Sequence, residues 1–379
     1  MWYMNSERQL LVKAFRDFAQ GEIKPFVSRM EENEEYPREI IHKMGKLGML
    51  GLGIDKKYGG TGTDYVNYGL FLEEVAKVSN TVALLSFVAS QLTVGIIHKL
   101  CTPEQVEKWV KPALSGDLLL SLANDESCGS GNISEFTTTA HLEGNEWVIN
   151  GGKIFITNAD MADVHVVTCI TDKVDLQTLA GASLIAIPAD TPGVSVGHME
   201  NKLGWKGSHT GQLYFNNVRV PKENLIGPLN RGYIAEGGVL LSEVSAYGPM
   251  DLESMEAVFK MTKDYLQKRV QNGKSIWDSQ QSARDNMASL WLRISNFRNS
   301  VYGVLSSRNQ GQDITAQAIA LKIAGEQLLE DVVSQCIELH GGMGVIYETG
   351  IERFYRDSKM SAVGCGSNKT LTDMLTMFI

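Results

Sequence analysis

The chain has 379 residues, 43% of them hydrophobic and 21% charged, with a net charge of -9. Such a length exceeds what one compact core holds and suits two or three structural units. The acidic balance excludes nucleic acid or an anionic membrane as the main partner, because nothing basic is concentrated enough to neutralise a row of phosphates. The five cysteines (Cys101, Cys128, Cys169, Cys336, Cys365) form no CxxC pair, so neither a disulfide framework nor a zinc site is expected. No apolar run of the roughly 18 residues that a membrane span needs is expected along the chain. The N-terminus opens on a polar helical pattern without signal-peptide features, so a cytoplasmic location is expected.

Apolar residues recur at helical spacing from residue 6 to about residue 30 (Leu10, Leu11, Ala14, Phe15, Phe18, Ile23), with Ser6 as the expected N-cap. The charged EENEEYP segment at 31–37 breaks that helix, and a short one follows over 38–47. The glycine-rich GMLGLGIDKKYGGTGTDY then reads as a loop. Helical periodicity resumes over 65–78, 81–100 and 103–114, so residues 1–117 read as an all-helical domain. At Leu118 the texture changes to short β-rich runs with period-2 alternation and turn residues between them. This predicts a small β-barrel or sandwich over 118–228. Long helices return over 233–272, 278–309 and 315–340, and residues 229–379 read as a helical bundle. The expected class is mainly α with a central β domain.

The last long helix ends at His340, where Gly341-Gly342-x-Gly344 strips side chains from the backbone. A charged helix holding Arg356-Asp357 leads to a second small-residue loop, Gly364-Cys365-Gly366-Ser367-Asn368. Both loops let a flat, phosphate-bearing ligand approach closely; glycines that only cap helices would read the same way. Three further segments stand out: Asn150-Gly-Gly-Lys-Ile-Phe-Ile-Thr-Asn158, KLGWKGSHTGQLYFNNVRVPKENLIG at 202–227, and Arg269-x-x-Asn-Gly273 followed by Gln280. In this order the motifs resemble those of the acyl-CoA dehydrogenase family, FAD enzymes that oxidise acyl thioesters between Cα and Cβ. The resemblance spans essentially the whole chain. It implies an N-terminal helical domain, a middle β-barrel and a C-terminal four-helix bundle.

The resemblance also implies roles. Phe155, in place of the usual Trp, would stack beside the isoalloxazine, and Thr157 would hydrogen-bond its N5/O4 edge. Asp125 and Gly131 lie in the loop that aligns with the family's TEPxAGSD, although both of its hydroxyls are lost. Arg269 and Gln280 would contact the FAD pyrophosphate of an adjacent subunit, which implies a homotetramer. Glu338, Gly341, Gly342 and Ser367 complete the expected cofactor contacts, with Glu338 standing where a Gln is usual. No metal is expected.

Most members carry the catalytic Glu at the position of Cys365, and a thiol is a poor substitute. Isovaleryl-CoA and prolyl-carrier-protein dehydrogenases instead place it on the first long C-terminal helix, 26 residues before the arginine; from Arg269 that count (269 − 26) lands on Glu243. The next residue, usually Arg, is Val244. The expected function is removal of an α-proton and a β-hydride from an acyl-CoA or acyl-carrier-protein substrate, with an electron-transferring flavoprotein among the acceptors implied. Two alternatives stay open: a biosynthetic member acting on a carrier-protein-bound group, and a flavin-free structural or binding homologue.

Overall fold

The computed structural model describes every residue except Thr63 and Ser130. Asn5, not Ser6, caps the first helix: its side chain accepts from Arg8 N at 2.8 Å, and α1 spans Ser6–Phe18. A π turn and a 3-10 turn carry the chain into α2 (Val27–Asn33), which Glu34 ends in the left-handed region at φ 53°. The N-terminal block continues with α3 (Arg38–Lys46), α4 (Tyr65–Ala76), α5 (Asn80–Phe87), α6 (Thr93–Ile97), α7 (Pro103–Gln105) and α8 (Lys111–Leu114). A π turn joins α5 to α6 into one rod. The rod Asn80–Ile97, with a mean hydropathy of 1.6, is long and apolar enough to cross a membrane by length and composition, which corrects the expectation that no such run exists. Here all of it lies inside the protein, where an all-round apolar helix belongs.

Among the described residues eight strands follow: β1 (Leu120–Ala123), β2 (Thr139–Glu143), β3 (Glu146–Thr157), β4 (Val164–Asp175), β5 (Ala180–Pro188), β6 (Val194–Met199), β7 (Thr210–Pro221) and β8 (Leu225–Ile226). They form one sheet in the order β6-β7-β3-β2-β4-β5-β8, with β1 parallel to β4. Alternate residues turn inward to a core that includes Trp147, Ile149, Val167, Leu213, Phe215 and Val218.

In the C-terminal block α9 (Gly232–Glu243) passes through a 3-10 turn at Val244–Ala246 into α10 (Tyr247–Lys268). The helix expected to run on to residue 272 stops at Lys268. A hairpin, β9 (Val270–Gln271) and β10 (Lys274–Ser275), turns at Asn272 (φ 49°) and Gly273 (φ 78°). An Asn-Gly pair is what a tight hairpin with two left-handed residues requires. Then come α11 (Ile276–Ser279), α12 (Gln281–Asn309), α13 (Thr315–His340), α14 (Glu352–Ser361) and α15 (Asn368–Leu375). Helix α13 packs against α10, α12, α14 and α15.

The three blocks meet at Trp205. Its backbone N donates to Asp357 Oδ1 at 2.7 Å, its indole N donates to Asn80 Oδ1 at 3.2 Å, and its ring lies under Gly364, where an added Cβ would stand 3.0 Å away. Burial pushes the Asp357 carboxyl up to about 6. One side chain therefore locks the 364–366 loop onto both the N-terminal helices and the β domain.

Candidate active site

Glu243 closes α9 and is 3% exposed. Its Oε1 takes the guanidinium of Arg308 on α12, while Oε2 is buried with no hydrogen-bond partner among the described residues. Arg308 is held in turn: its Cζ lies 3.7 Å from the Tyr65 ring centroid, and it donates to Ser242 O and Ser245 Oγ, both at 3.4 Å. Opposite the carboxylate stands Gly95 of α6, where a Cβ would lie 3.6 Å from Glu243 Cδ and 3.4 Å from Gln91 Oε1. Gln91 donates to Leu52 O at 2.6 Å, and its Oε1 is also buried and unpartnered. Orphaned buried acceptors cost about 1–3 kcal/mol each. Gly95 thus borders one acceptor in want of a donor, Gln91 Oε1, and the anchored Oε1 of Glu243, 3.7 Å from where an added Cβ would stand. Val244, at the position where the resemblance expects arginine, is buried with Ile314 and Ala318; a guanidinium reaches Glu243 from α12 instead.

The rim of the β domain approaches the other end of α9. Asp125 accepts from Ile154 N at 2.9 Å through its carbonyl, tying its loop to β3. Glu126 beside it accepts from Thr137 N, Thr137 Oγ1, Thr138 N and, at 2.8 Å, from the fully buried Lys153. Burial works against its charge, but Lys153 and these donors outweigh that and hold the carboxyl below its usual range. This pair therefore shapes the loop. Gly131 is exposed, and Ser130 next to it lies outside the described residues. Phe155 is 59% exposed and sits at φ 55° where the β3–β7 register slips between Lys153 and Ile156. Left-handed backbone at an aromatic residue is strained, and here it throws the ring outward. Thr157 ends β3, half-buried, opposite Thr210.

Glu236, which the motif reading passed over, is buried on α9 and accepts from Thr168 Oγ1 at 2.9 Å. Burial pushes its carboxyl up to about 7, with Asp125 adding to the push. Its signal was a second carboxylate seven residues before Glu243, on the same face of the helix.

Arg269 and Gln280 lie at the opposite end of the bundle. Both are exposed at the hairpin, and Gln280 donates to Gln271 Oε1 at 3.3 Å. The 22 residues of α10, about 33 Å at about 1.5 Å per residue, separate them from Glu243. The Gly341-Gly342 loop shares this far end, because His340 stacks on Tyr265 of α10 with centroids 4.4 Å apart. A Cβ on either glycine would meet nothing within 4 Å, and Gly341 has φ 60°. The exposed Glu338 caps this turn through its carbonyl, which accepts from Gly341 N. Cys365 also adopts a left-handed φ of 53°, and burial pushes its thiol up, away from the thiolate. Ser367 Oγ accepts from Thr370 N at 3.2 Å as the cap of α15. Within one chain, then, Asp125, Phe155, Thr157 and Glu243 fall on one side of α10's length, and Arg269, Gln280, Glu338, Gly341 and Gly342 on the other. A groove of about 1450 Å³ lined by Lys202, Glu253, Trp291 and Arg356 includes neither Glu243 nor any of the residues assigned to the cofactor.

Family models match the chain in three consecutive segments: the acyl-CoA dehydrogenase N-terminal domain over residues 5–117, the middle domain over 122–218 and the C-terminal domain over 239–379. The short-chain-specific acyl-CoA dehydrogenase of Clostridium acetobutylicum is 31% identical over 97% of this chain and 96% of its own length. The chain belongs to the acyl-CoA dehydrogenase family. Subunit CarC of the caffeyl-CoA reductase-Etf complex of Acetobacterium woodii is 30% identical over 97% of this chain and 96% of its own. The solved butyryl-CoA dehydrogenase of Megasphaera elsdenii superposes with a TM-score of 0.93 at 28% identity, covering 99% of this chain and 98% of that one. This acyl-CoA dehydrogenase is an FAD-dependent oxidoreductase. The residues present suit the cofactor: bare glycine backbone beside an exposed arginine fits a pyrophosphate, and an outward-held phenyl ring fits a flat heterocycle.

Proposed function

We propose that the protein oxidises an acyl-CoA thioester between Cα and Cβ, with Glu243 as the base that takes the α-proton. The observation that carries this reading is the buried Oε2 of Glu243, without a partner among the described residues while Arg308 holds Oε1. A carboxylate with one oxygen anchored and the other free is built to accept a proton. FAD, when bound, supplies the two-electron acceptor. Phe155, Thr157 and Asp125 would hold it from the chain's own β domain, while Arg269, Gln280, Glu338, Gly341, Gly342 and Ser367 are assigned to its remaining contacts.

Because α10 separates the two groups, Arg269 serves best on a neighbour's cofactor, and we assign a homotetramer. Sedimentation at the monomer mass of 41.7 kDa at micromolar concentration would remove that source of the arginine. The similarity to short-chain and butyryl-CoA dehydrogenases supports a short acyl group, and the similarity to CarC supports an electron-transferring flavoprotein as acceptor. A carrier-protein thioester remains the second reading, supported by the buried Val244 where a cation near the pantetheine arm is expected.

Glu243→Gln keeps the shape and removes the basicity. FAD is expected to stay bound while substrate-driven bleaching of its visible band slows by about 100-fold or more, the scale of general-base catalysis. Bleaching at the wild-type rate would dismiss Glu243 as the base.

A further inference from the structure

Among the described residues Glu243 faces one cation, and that cation comes from a distant part of the chain. Arg308 lies on α12, 65 residues from Glu243, and it is held from three sides before it meets the carboxylate. Tyr65 of α4 supplies a ring under the guanidinium, and Ser242 O with Ser245 Oγ receive one of its terminal nitrogens. The other terminal nitrogen goes to Glu243 Oε1 alone. The side chains of both partners are nearly enclosed, 12% and 4% exposed, so water does not screen the pair.

A carboxylate on a helix end has two soft torsions beyond Cβ and would sample several directions if left alone. Here a planar cation, stacked and hydrogen-bonded on its own account, fixes one oxygen and thereby aims the other. The oxygen left free is Oε2, buried and without a partner among the described residues. The arrangement has the logic of a catalytic base oriented by a third group, with an arginine as the orienter.

We propose that Arg308 is the positioning residue for Glu243: it holds Oε1 so that Oε2 alone accepts the α-proton of the thioester. In that step the Cα–H bond breaks, the proton goes to Oε2, and the electron pair delocalises into the thioester carbonyl. Arg308 touches no reacting atom. The inference rests on Glu243 being the base.

The experiment follows exchange of the α-protons of butyryl-CoA with D2O on the holoenzyme, without an electron acceptor, alongside steady-state kinetics. Glu243→Gln is the reference and is expected to abolish exchange. Arg308→Gln should slow exchange and kcat by about 10²-fold, the cost of misplacing a reacting group by about 1 Å. KM should stay within about 3-fold, which separates loss of positioning from loss of binding. Arg308→Lys, or guanidinium ion added to Arg308→Gln, should restore part of the rate, which a merely structural defect would not allow. An Arg308→Gln enzyme that exchanges at the wild-type rate while Glu243→Gln is inert overturns the inference and leaves the base assignment standing. A rise in KM that accounts for the whole loss, or no recovery by either route, also overturns it. An active Glu243→Gln enzyme sinks both. If Arg308→Gln fails to fold, Tyr65→Leu, which removes the ring under the guanidinium, carries the test: exchange slowed by about tenfold supports the proposal, and unchanged exchange overturns it.

Discussion

Two buried clusters of acids and cations flank the 3-10 turn between α9 and α10, and their charges balance differently. On one side Glu243 meets Arg308, one acid to one cation. On the other, Asp251 and Glu326 share Lys322. Lys322 is fully buried and donates to Glu326 Oε1 at 2.5 Å, to Ser361 O at 3.2 Å and to Gly366 O at 3.1 Å. Both oxygens of Asp251 lack a partner among the described residues. Burial pushes Glu326 up to about 7; burial, with Glu326 adding, pushes Asp251 well above its ordinary range.

Two carboxyls against one ammonium cannot both ionise cheaply in a dry interior, so this cluster holds a proton near neutrality. The difference separates chemistry from architecture. A singly paired carboxylate with a free oxygen can take up a proton, whereas the doubled acid already holds one and serves through its lysine. Two of the three bonds of Lys322 bracket Cys365, with Ser361 on one side and Gly366 on the other. At the position where the sequence resemblance puts the base of most members, this chain has a thiol on a loop that Lys322 holds from below.

The sharpest break of this comparison is Lys322→Met. It leaves an acid pair and two loop carbonyls without their cation, and removal of one partner from a buried ion pair costs about 3–5 kcal/mol. Chemical denaturation should show that loss; a change below about 1 kcal/mol would mean that the lysine is not the loop's anchor. Next in size is Asp251→Asn, which bears on pH. A carboxyl whose folded pKa is raised keeps a proton that the unfolded chain gives up. Its favourable contribution is therefore complete at low pH and is lost as pH rises from the ordinary carboxylate value of about 4 through the folded value, which for Glu326 is about 7 and for Asp251 lies well above the ordinary range.

Wild-type stability should accordingly fall between pH 5 and 8, and Asp251→Asn should flatten the slope by about 1 kcal/mol or more over that span. Glu236 and Asp357, raised to about 7 and about 6, keep part of the slope in place. An unaltered slope in the variant would show that Asp251 does not titrate with this cluster. The smallest effect is expected at Cys365→Ala, where exchange and turnover should stay within a few-fold. A dead Cys365→Ala enzyme beside an active Glu243→Gln one would reverse the roles of the two clusters.

How far the chain could be read follows from which features are local. Helix α13, Thr315–His340, has the bounds its periodicity implies, because an uninterrupted 3.6-residue pattern is written in neighbouring residues. The hairpin at 270–275 was overrun by the same reasoning. Its Asn272-Gly273 signal is only two residues long, and the helical pattern before it was strong. The rod at 80–97 shows the reverse failure: its composition suits a membrane span, and only the packing of helices and strands around it makes it a core element.

The sequence by itself determined the family, the order of helical, β and helical blocks, the FAD chemistry and the candidacy of Glu243, since these rest on motifs and spacings that survive in one dimension. Tertiary structure alone decided that Glu243 is anchored by Arg308 from 65 positions away, that Glu236 is buried against Thr168, and that Lys322 underpins the Cys365 loop. Pairings of this kind depend on how helices cross and how far burial excludes water. No local pattern encodes which distant cation will face a given carboxylate.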